Sequence, residues 1–310
     1  MSRCQRECHR FEPDILLHFG NSKMNHIKTL TLNESGRDFV CGDIHGSLSC
    51  VERALNELNF DTTRDRLISV GDLVDRGPDS MGCLGLLDQE WFHAVRGNHE
   101  ELMHDALNNR EFWHGLWARN GGEWGTHLKM PATVDEAQLA ESIGQRVDRL
   151  PYIISVPIEG GKKFHVIHAE FAFLNEITDQ TLETWDRVKA EALTASRDGK
   201  SILWGRWIFA KMSRRALYPD VVESIAQDSV TATQAKKLKN PQLGRIYCGH
   251  TIVQKPVNFY GQINLDTGAY MSYDEEAPRW AGLTITEPAT DRFWLVTSRE
   301  FNEIKPVIFQ

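Results

Sequence analysis

The chain has no apolar run approaching the ~20 residues that a membrane helix needs, which argues against a helical membrane protein. It also lacks a secretory leader. The opening MSRCQRECHRFEPDILLHFG carries basic residues, but its one apolar patch, Ile15-Leu16-Leu17, is broken by His18. Its six cysteines in 310 residues are too few and too scattered for a disulfide framework. A reducing cytoplasm is the expected compartment, the host's if the chain is phage-encoded. Net positive charge is missing as well. At -8 the chain offers no broad basic face for a nucleic-acid backbone or an anionic membrane, although a local basic pocket is compatible with that sum. No repeat or low-complexity linker divides the chain.

What remains is an ordinary globular composition, 41% hydrophobic and 25% charged. Residues 1–25 read as a polar appendage. Residues 26–310 read as one large domain with a long variable segment around 171–244. From residue 37 onward, short β-rich runs alternate with helical ones. Strands are expected at Arg37–Cys41, Leu67–Val70, Phe92–Val95, Ile153–Val156, Phe164–Ile167, Arg245–Cys248, Ile263–Leu265, Ala281–Ile285 and Phe293–Val296. Helices are expected at Leu48–Leu58, Ser80–Leu87, Ala137–Leu150 (stopped by Pro151) and Leu182–Ala195.

Polar residues gather where strands end: Asp43 and His45, Asp72 and Asp75, Asn98 and His99, His168, and His250. In open α/β sheets ligands collect beyond the carboxyl ends of strands. Five such ends offering metal-type ligands therefore suggest one shared site. Taken singly, a Gly-Asp pair is a turn and a strand-end histidine is a hydrogen-bonded bystander. Three glycine-framed clusters in order, GDIHG, GDLVDRG and RGNHE, override those readings. Mixed carboxylate, imidazole and amide donors suit divalent manganese, iron or zinc better than calcium or magnesium. The donors outnumber the needs of one ion, and a carboxylate such as Asp72 could bridge two.

These three motifs resemble those of the metal-dependent phosphoprotein phosphatases, a family within the calcineurin-like metallophosphoesterases. LISVGDLVDRG, WFHAVRGNHE, NGGEW, and GHT followed by KP and DTGA resemble its bacteriophage lambda and bacterial branch. The resemblance implies an α/β fold of two mixed β-sheets packed as a sandwich and flanked by helices, with two bound divalent ions, manganese foremost. It implies that Asp43, His45 and bridging Asp72 hold the first metal, and Asp72, Asn98, His168 and His250 the second. His99 is the implied general acid and Asp75 its orienting carboxylate. Arg76 and Arg96 are implied phosphate ligands, with Arg206 the candidate for a third. The implied substrate is a phosphoprotein, phosphopeptide or small phosphate ester, with serine or threonine favoured and tyrosine allowed. The rival substrates are dinucleoside polyphosphates or small phosphodiesters on the same centre, and Glu100 after His99 speaks for the protein-phosphatase branch. An inactive phosphopeptide-binding scaffold is the remaining alternative.

Several features carry no role in this reading. Cys4, Cys8 and His9 lack a second half for a zinc site, and Cys41 and Cys248 read as buried small hydrophobes. His165 lies three residues before His168 on one strand and so faces the other way. Trp204, Trp207, Arg214 and Arg215 read as core and solvated residues rather than a lid. Glu170, where the family more often has glycine or a smaller acid, reads as a surface carboxylate rather than a partner of a metal ligand.

Overall fold

The computed structural model describes residues 26–108, 113–129, 131–171, 178–183, 202–206, 208–211 and 242–309. In chain order, β1 is Ile27–Thr29, β2 Asp38–Cys41, α1 Leu48–Glu57, β3 Arg66–Ser69, α2 Ser80–Gly85 and β4 Phe92–Ala94. Then come α3 Asn98–Asn108, α4 Trp113–Arg119, α5 Thr126–Lys129 and α6 Val134–Asp148. β5 Ile153–Pro157, β6 Lys163–Val166, α7 Asp179–Glu183, β7 Arg245–Cys248, β8 Val257–Phe259 and β9 Gln262–Asn264 follow. The chain finishes with β10 Leu283–Glu287, β11 Arg292–Val296, β12 Phe301–Ile304 and β13 Val307–Phe309.

The strands form two mixed sheets. One runs β1-β5-β6-β7-β9-β8-β13 and the other β12-β11-β10-β2-β3-β4. Strand side chains alternate between faces, and that alternation divides the core into three layers. Val40, Ile68 and Val70 of one sheet meet Val156, Val166, Tyr247 and Ile263 of the other in a buried middle layer. The neighbours Phe39, Cys41 and Leu67 point outward, beneath α1 to α6. On the far side Ile153, Ile167, Ile246 and Cys248 point outward against Ile202, Leu203, Ile208 and Phe209. The expected sandwich is therefore present, and its two sheets share one dry interior.

Strand direction decides where the chemistry goes. β2, β3 and β4 are parallel, as are β6, β7 and β9. The carboxyl ends of each set lie together, and all five predicted clusters leave from them.

Each expected strand appears, within a few residues. The helices differ more. The helix predicted from Ala137 begins at Val134, because Thr133 and Glu136 form a reciprocal capping box that sets the start three residues earlier. Helix α3 was not anticipated. It begins on Asn98, an expected ligand, and carries Glu100 and Glu101 in its first turn, where acidic side chains complement the exposed N–H groups. Of the helix predicted over Leu182–Ala195, Leu182 and Glu183 fall in α7. The rest lies outside the described residues, as do Cys4, Cys8, His9, Trp207, Arg214 and Arg215.

Candidate active site

The strand ends converge. His45, Asp72 and His99 each offer a donor atom within 4.8 Å of the other two, and Asp72, His168 and His250 do the same. Asp72 is common to both groups, and every member is buried. Asn98 joins the second group, its Oδ1 lying 2.8 Å from Nε2 of His168. Asp43 stands behind it, accepting the backbone N–H of His250 on both oxygens at 3.1 and 3.0 Å. Gly249 makes that approach feasible, since a Cβ there would collide with the Asp43 carboxylate.

The imidazoles are pre-set as ligands. Nδ1 of His45 donates to the Val74 carbonyl at 2.7 Å, and Nδ1 of His168 to the Val70 carbonyl at 2.9 Å. A carbonyl only accepts, so each ring carries its proton on Nδ1 and turns a lone pair inward from Nε2, the orientation that outer hydrogen bonds give metal-ligating histidines.

The inward groups are the test of whether a cation fits. Nε2 of His168 faces Oδ1 of Asn98 and, at 3.4 Å, Oδ1 of Asp72. Burial drops His168 to about 4 and its Nδ1 proton is committed to Val70, so Nε2 presents a lone pair to these oxygens, with Nδ1 of His250 also 3.2 Å away. Burial pushes Asp72 up to about 7, and it pushes Asp43 well above the carboxylate range with help from nearby Asp266 and Asp72. Among the described residues, Nε2 of His250 is buried without a hydrogen-bond partner. Converging lone pairs and crowded carboxylates are stabilised by positive charge, and the donor set matches a divalent transition metal.

The backbone is held in a costly conformation at the same place. His45, Asp72, Asp75, Arg76 and His250 have φ of 44°, 49°, 73°, 69° and 66°. Such left-handed geometry is disfavoured outside glycine and persists where the surroundings over-determine it.

The model of the calcineurin-like phosphoesterase family matches residues 39–254, which contain every candidate metal ligand named above. The chain belongs to this family.

Among relatives of this phosphoesterase, serine/threonine-protein phosphatase 1 of Salmonella typhimurium (strain LT2) is 46% identical over 134 residues, covering 43% of this chain and 58% of that protein. Serine/threonine-protein phosphatase 2 of the same strain is 29% identical over 234 residues, covering 76% and 88%. A symmetrical bis(5'-nucleosyl)-tetraphosphatase of Cellvibrio japonicus (strain Ueda107) is 39% identical over 64 residues, covering 20% and 24%. The match to the first relative thus spans less than two thirds of its length.

At the mouth of this phosphoesterase's site Arg76 is exposed. Its guanidinium donates to Nε2 of His45 at 2.7 Å and to Nε2 of His99 at 2.8 Å. His99 in turn directs Nδ1 to Oδ2 of Asp75 at 2.7 Å. Arg206 is also exposed, and its charge, with burial the larger cause, depresses His99, His168 and His250 together.

Arg96, expected to grip phosphate, is 1% exposed and closes a 2.5 Å ion pair with Glu101, with Asp148 at 4.0 Å. One expectation is corrected. Glu170, read as a surface carboxylate, is fully buried and accepts backbone N–H groups from Ile208 and Phe209. His165 matches its structural reading, tied to Ser155 at 2.8 Å and Asp179 at 2.9 Å.

Other contributors were given no place in the site from the sequence. Trp117 and Trp124 donate their indole N–H groups to Asp75. Glu100 accepts from the backbone of Gly97, Asp72 and Leu73 and so ties two ligand loops together. Asp266 follows β9, the sixth parallel strand end, and adds a third buried carboxylate beside Asp43 and Asp72. The DTGA string marks Asp266, and NGGEW marks Trp124.

Proposed function

We propose that this chain is a protein phosphatase that hydrolyses phosphoserine and phosphothreonine monoesters, accepts phosphotyrosine, and works in the cytoplasm with two divalent ions, manganese foremost and iron or zinc as substitutes. The observation that carries the reading is the sharing of one carboxylate, Asp72, by two separate groups of buried ligands. Asp43, His45 and Asp72 would hold one ion, and Asp72, Asn98, His168 and His250 the other. When bound, such a pair supplies Lewis-acid activation of water and neutralisation of phosphoryl charge.

The chain's own groups account for the remainder. A serine or threonine alkoxide is a poor leaving group, so a proton delivered to it lowers the barrier. His99 is the donor in this scheme. Its Nδ1–H on Asp75 leaves Nε2 as the atom that meets the leaving oxygen. In the substrate-free protein burial and Arg76 hold His99 neutral. An incoming phosphoryl dianion would draw the Arg76 donors away from Nε2 and place negative charge nearby, and both changes favour the imidazolium. Arg76 and Arg206 would then share the equatorial oxygens of the transferring group. Arg96 would support them indirectly, by fixing Glu101 at the start of α3.

A second reading, hydrolysis of dinucleoside polyphosphates on the same centre, is favoured by the similarity to the tetraphosphatase over 64 residues. Glu100, with its three backbone bonds, supports the first. The deciding experiment compares rates on a phosphopeptide panel with those on dinucleoside tetraphosphate, with manganese and after chelation. The proposal requires chelator-sensitive turnover that is faster on the peptides. Faster tetraphosphate cleavage would transfer the assignment, and inactivity of the metal-loaded protein would leave only the scaffold.

A further inference from the structure

We propose that Glu170 is a positioning residue, holding Arg206 at the phosphate-binding edge of the site by gripping the turn that follows it. This rests on the phosphatase reading only for the role of Arg206.

The geometry begins at His168, the candidate ligand two residues earlier. Gln262 of β9 accepts from the Phe171 N–H at 2.8 Å and donates to its carbonyl at 2.9 Å, so the chain is fixed just beyond Glu170. Before it, Ala169 donates to the Ile202 carbonyl at 2.6 Å. Between these fixed points the Glu170 carboxylate turns inward and is fully buried. It accepts from Ile208 at 2.7 and 2.9 Å and from Phe209 at 3.1 Å.

Those two N–H groups belong to the first turn after Arg206, whose carbonyl accepts from Ala210 at 3.0 Å. The early N–H groups of such a turn have no partner within it and are usually capped by a nearby side chain. Here the cap is a side-chain carboxylate 38 residues away in the chain. Ile202, Leu203, Ile208 and Phe209 are buried in the same apolar cluster as Ile167 and Phe171, and the Trp204 ring stands edge-on to His250 at 5.9 Å. Apolar packing therefore attaches the segment, while Glu170 fixes the angle at which Arg206 leaves it. A fully buried carboxylate is costly to keep unless hydrogen bonds satisfy it. Its bonds to this one turn explain its presence better than a surface role.

The experiment uses the full chain loaded with manganese, and the variants E170A, E170Q, R206A and E170A/R206A. Four quantities are measured: bound manganese, affinity for inorganic phosphate by calorimetry, and kcat and KM on para-nitrophenyl phosphate. R206A is expected to weaken phosphate binding by about tenfold, the order of one charge-assisted contact. E170A should weaken it by a comparable factor and raise KM more than it lowers kcat. The double variant should be no weaker than R206A alone. Manganese should stay at the wild-type level throughout, and E170Q, which keeps an acceptor oxygen, should recover most of the loss. If E170A does not fold, E170Q in the presence and absence of R206A decides, because its smaller effect must also disappear beside R206A. The proposal is overturned if the two effects multiply, if E170A sheds manganese and so acts through His168, or if E170A leaves phosphate affinity unchanged. Wild-type protein that binds phosphate but turns over no ester would sink the phosphatase reading and leave this one standing.

Discussion

Trp124 and His99 meet on one carboxylate: the indole donates to Oδ1 of Asp75 at 2.7 Å, and Nδ1 of His99 reaches Oδ2 at 2.7 Å. Trp117 donates to both oxygens, at 3.0 and 3.1 Å. Burial pushes Asp75 up to about 7, and the two indoles oppose that rise. Removing one should therefore protonate Asp75 at a higher pH and release its hold on the His99 tautomer. Trp124→Phe, which keeps the ring and loses the donor, is expected to lower kcat at pH 7 by about fivefold, the order of one hydrogen bond. The acid limb of its pH–rate profile should shift upward. An unmoved acid limb would leave Trp124 a packing residue only.

Trp124 also shows how far sequence reasoning reaches. The ligand clusters could be read because each is local: a strand, a glycine and a donor within a few residues. The tryptophans lie 42 and 49 residues from Asp75, and nothing in periodicity or spacing pairs them. Glu170 escaped for a related reason, since its partners are backbone N–H groups, which carry no residue identity. The pairing of Arg96 with Glu101 was equally illegible, because a guanidinium beside a ligand motif suits both an anion and a buried carboxylate. Strands β1, β12 and β13 are three or four residues long at or next to sheet edges, and owe their extension to pairing rather than to a pattern of their own.

The acid and the bridge should separate cleanly in mutants. His99→Asn removes the proton donor while Asn98, His168 and His250 are untouched, so turnover of a phosphoserine peptide should fall by about 10²–10⁴-fold. Bound manganese should remain near the wild-type level. Asp72→Asn weakens both ligand groups, and elemental analysis should find both ions depleted. If His99→Asn also lost its metal, His99 would be a ligand, as its place beside His45 and Asp72 allows.

Metal and protons should compete in the stability of the fold. Asp72 rises from 3.8 to about 7 on folding, chiefly by burial. A carboxylate with a raised folded value favours the folded state below its unfolded value and loses that contribution as the pH climbs through the folded one. The metal-free protein should thus lose stability between about pH 4 and 7 from this group, with Asp43 and Asp266 acting in the same direction. A cation replaces the proton. Manganese should therefore raise the melting temperature more at pH 8 than at pH 5.5, and an equal rise at both would contradict the assignment of these carboxylates.

Gly97 offers a test that touches no ligand. It sits where α3 begins, and a Cβ on it would collide with the side chain and the backbone N–H of Asp72 and come within 2.8 Å of Glu100 Oε2. Those two carboxylates cannot both retreat. Glu100 is committed to the N–H groups of Gly97, Asp72 and Leu73, and Asp72 Oδ1 accepts the N–H of His99 at 2.9 Å. Any relief of the clash therefore displaces Asp72, which is common to both ligand groups. Gly97→Ala is therefore expected to weaken manganese binding by about tenfold or more, a displacement effect of the size seen for groups supporting metal ligands. Far-ultraviolet dichroism should remain native, because the clash is confined to the two ligand loops and the first turn of α3. Wild-type manganese affinity in a folded Gly97→Ala protein would mean that Asp72 is not held as tightly as its contacts imply.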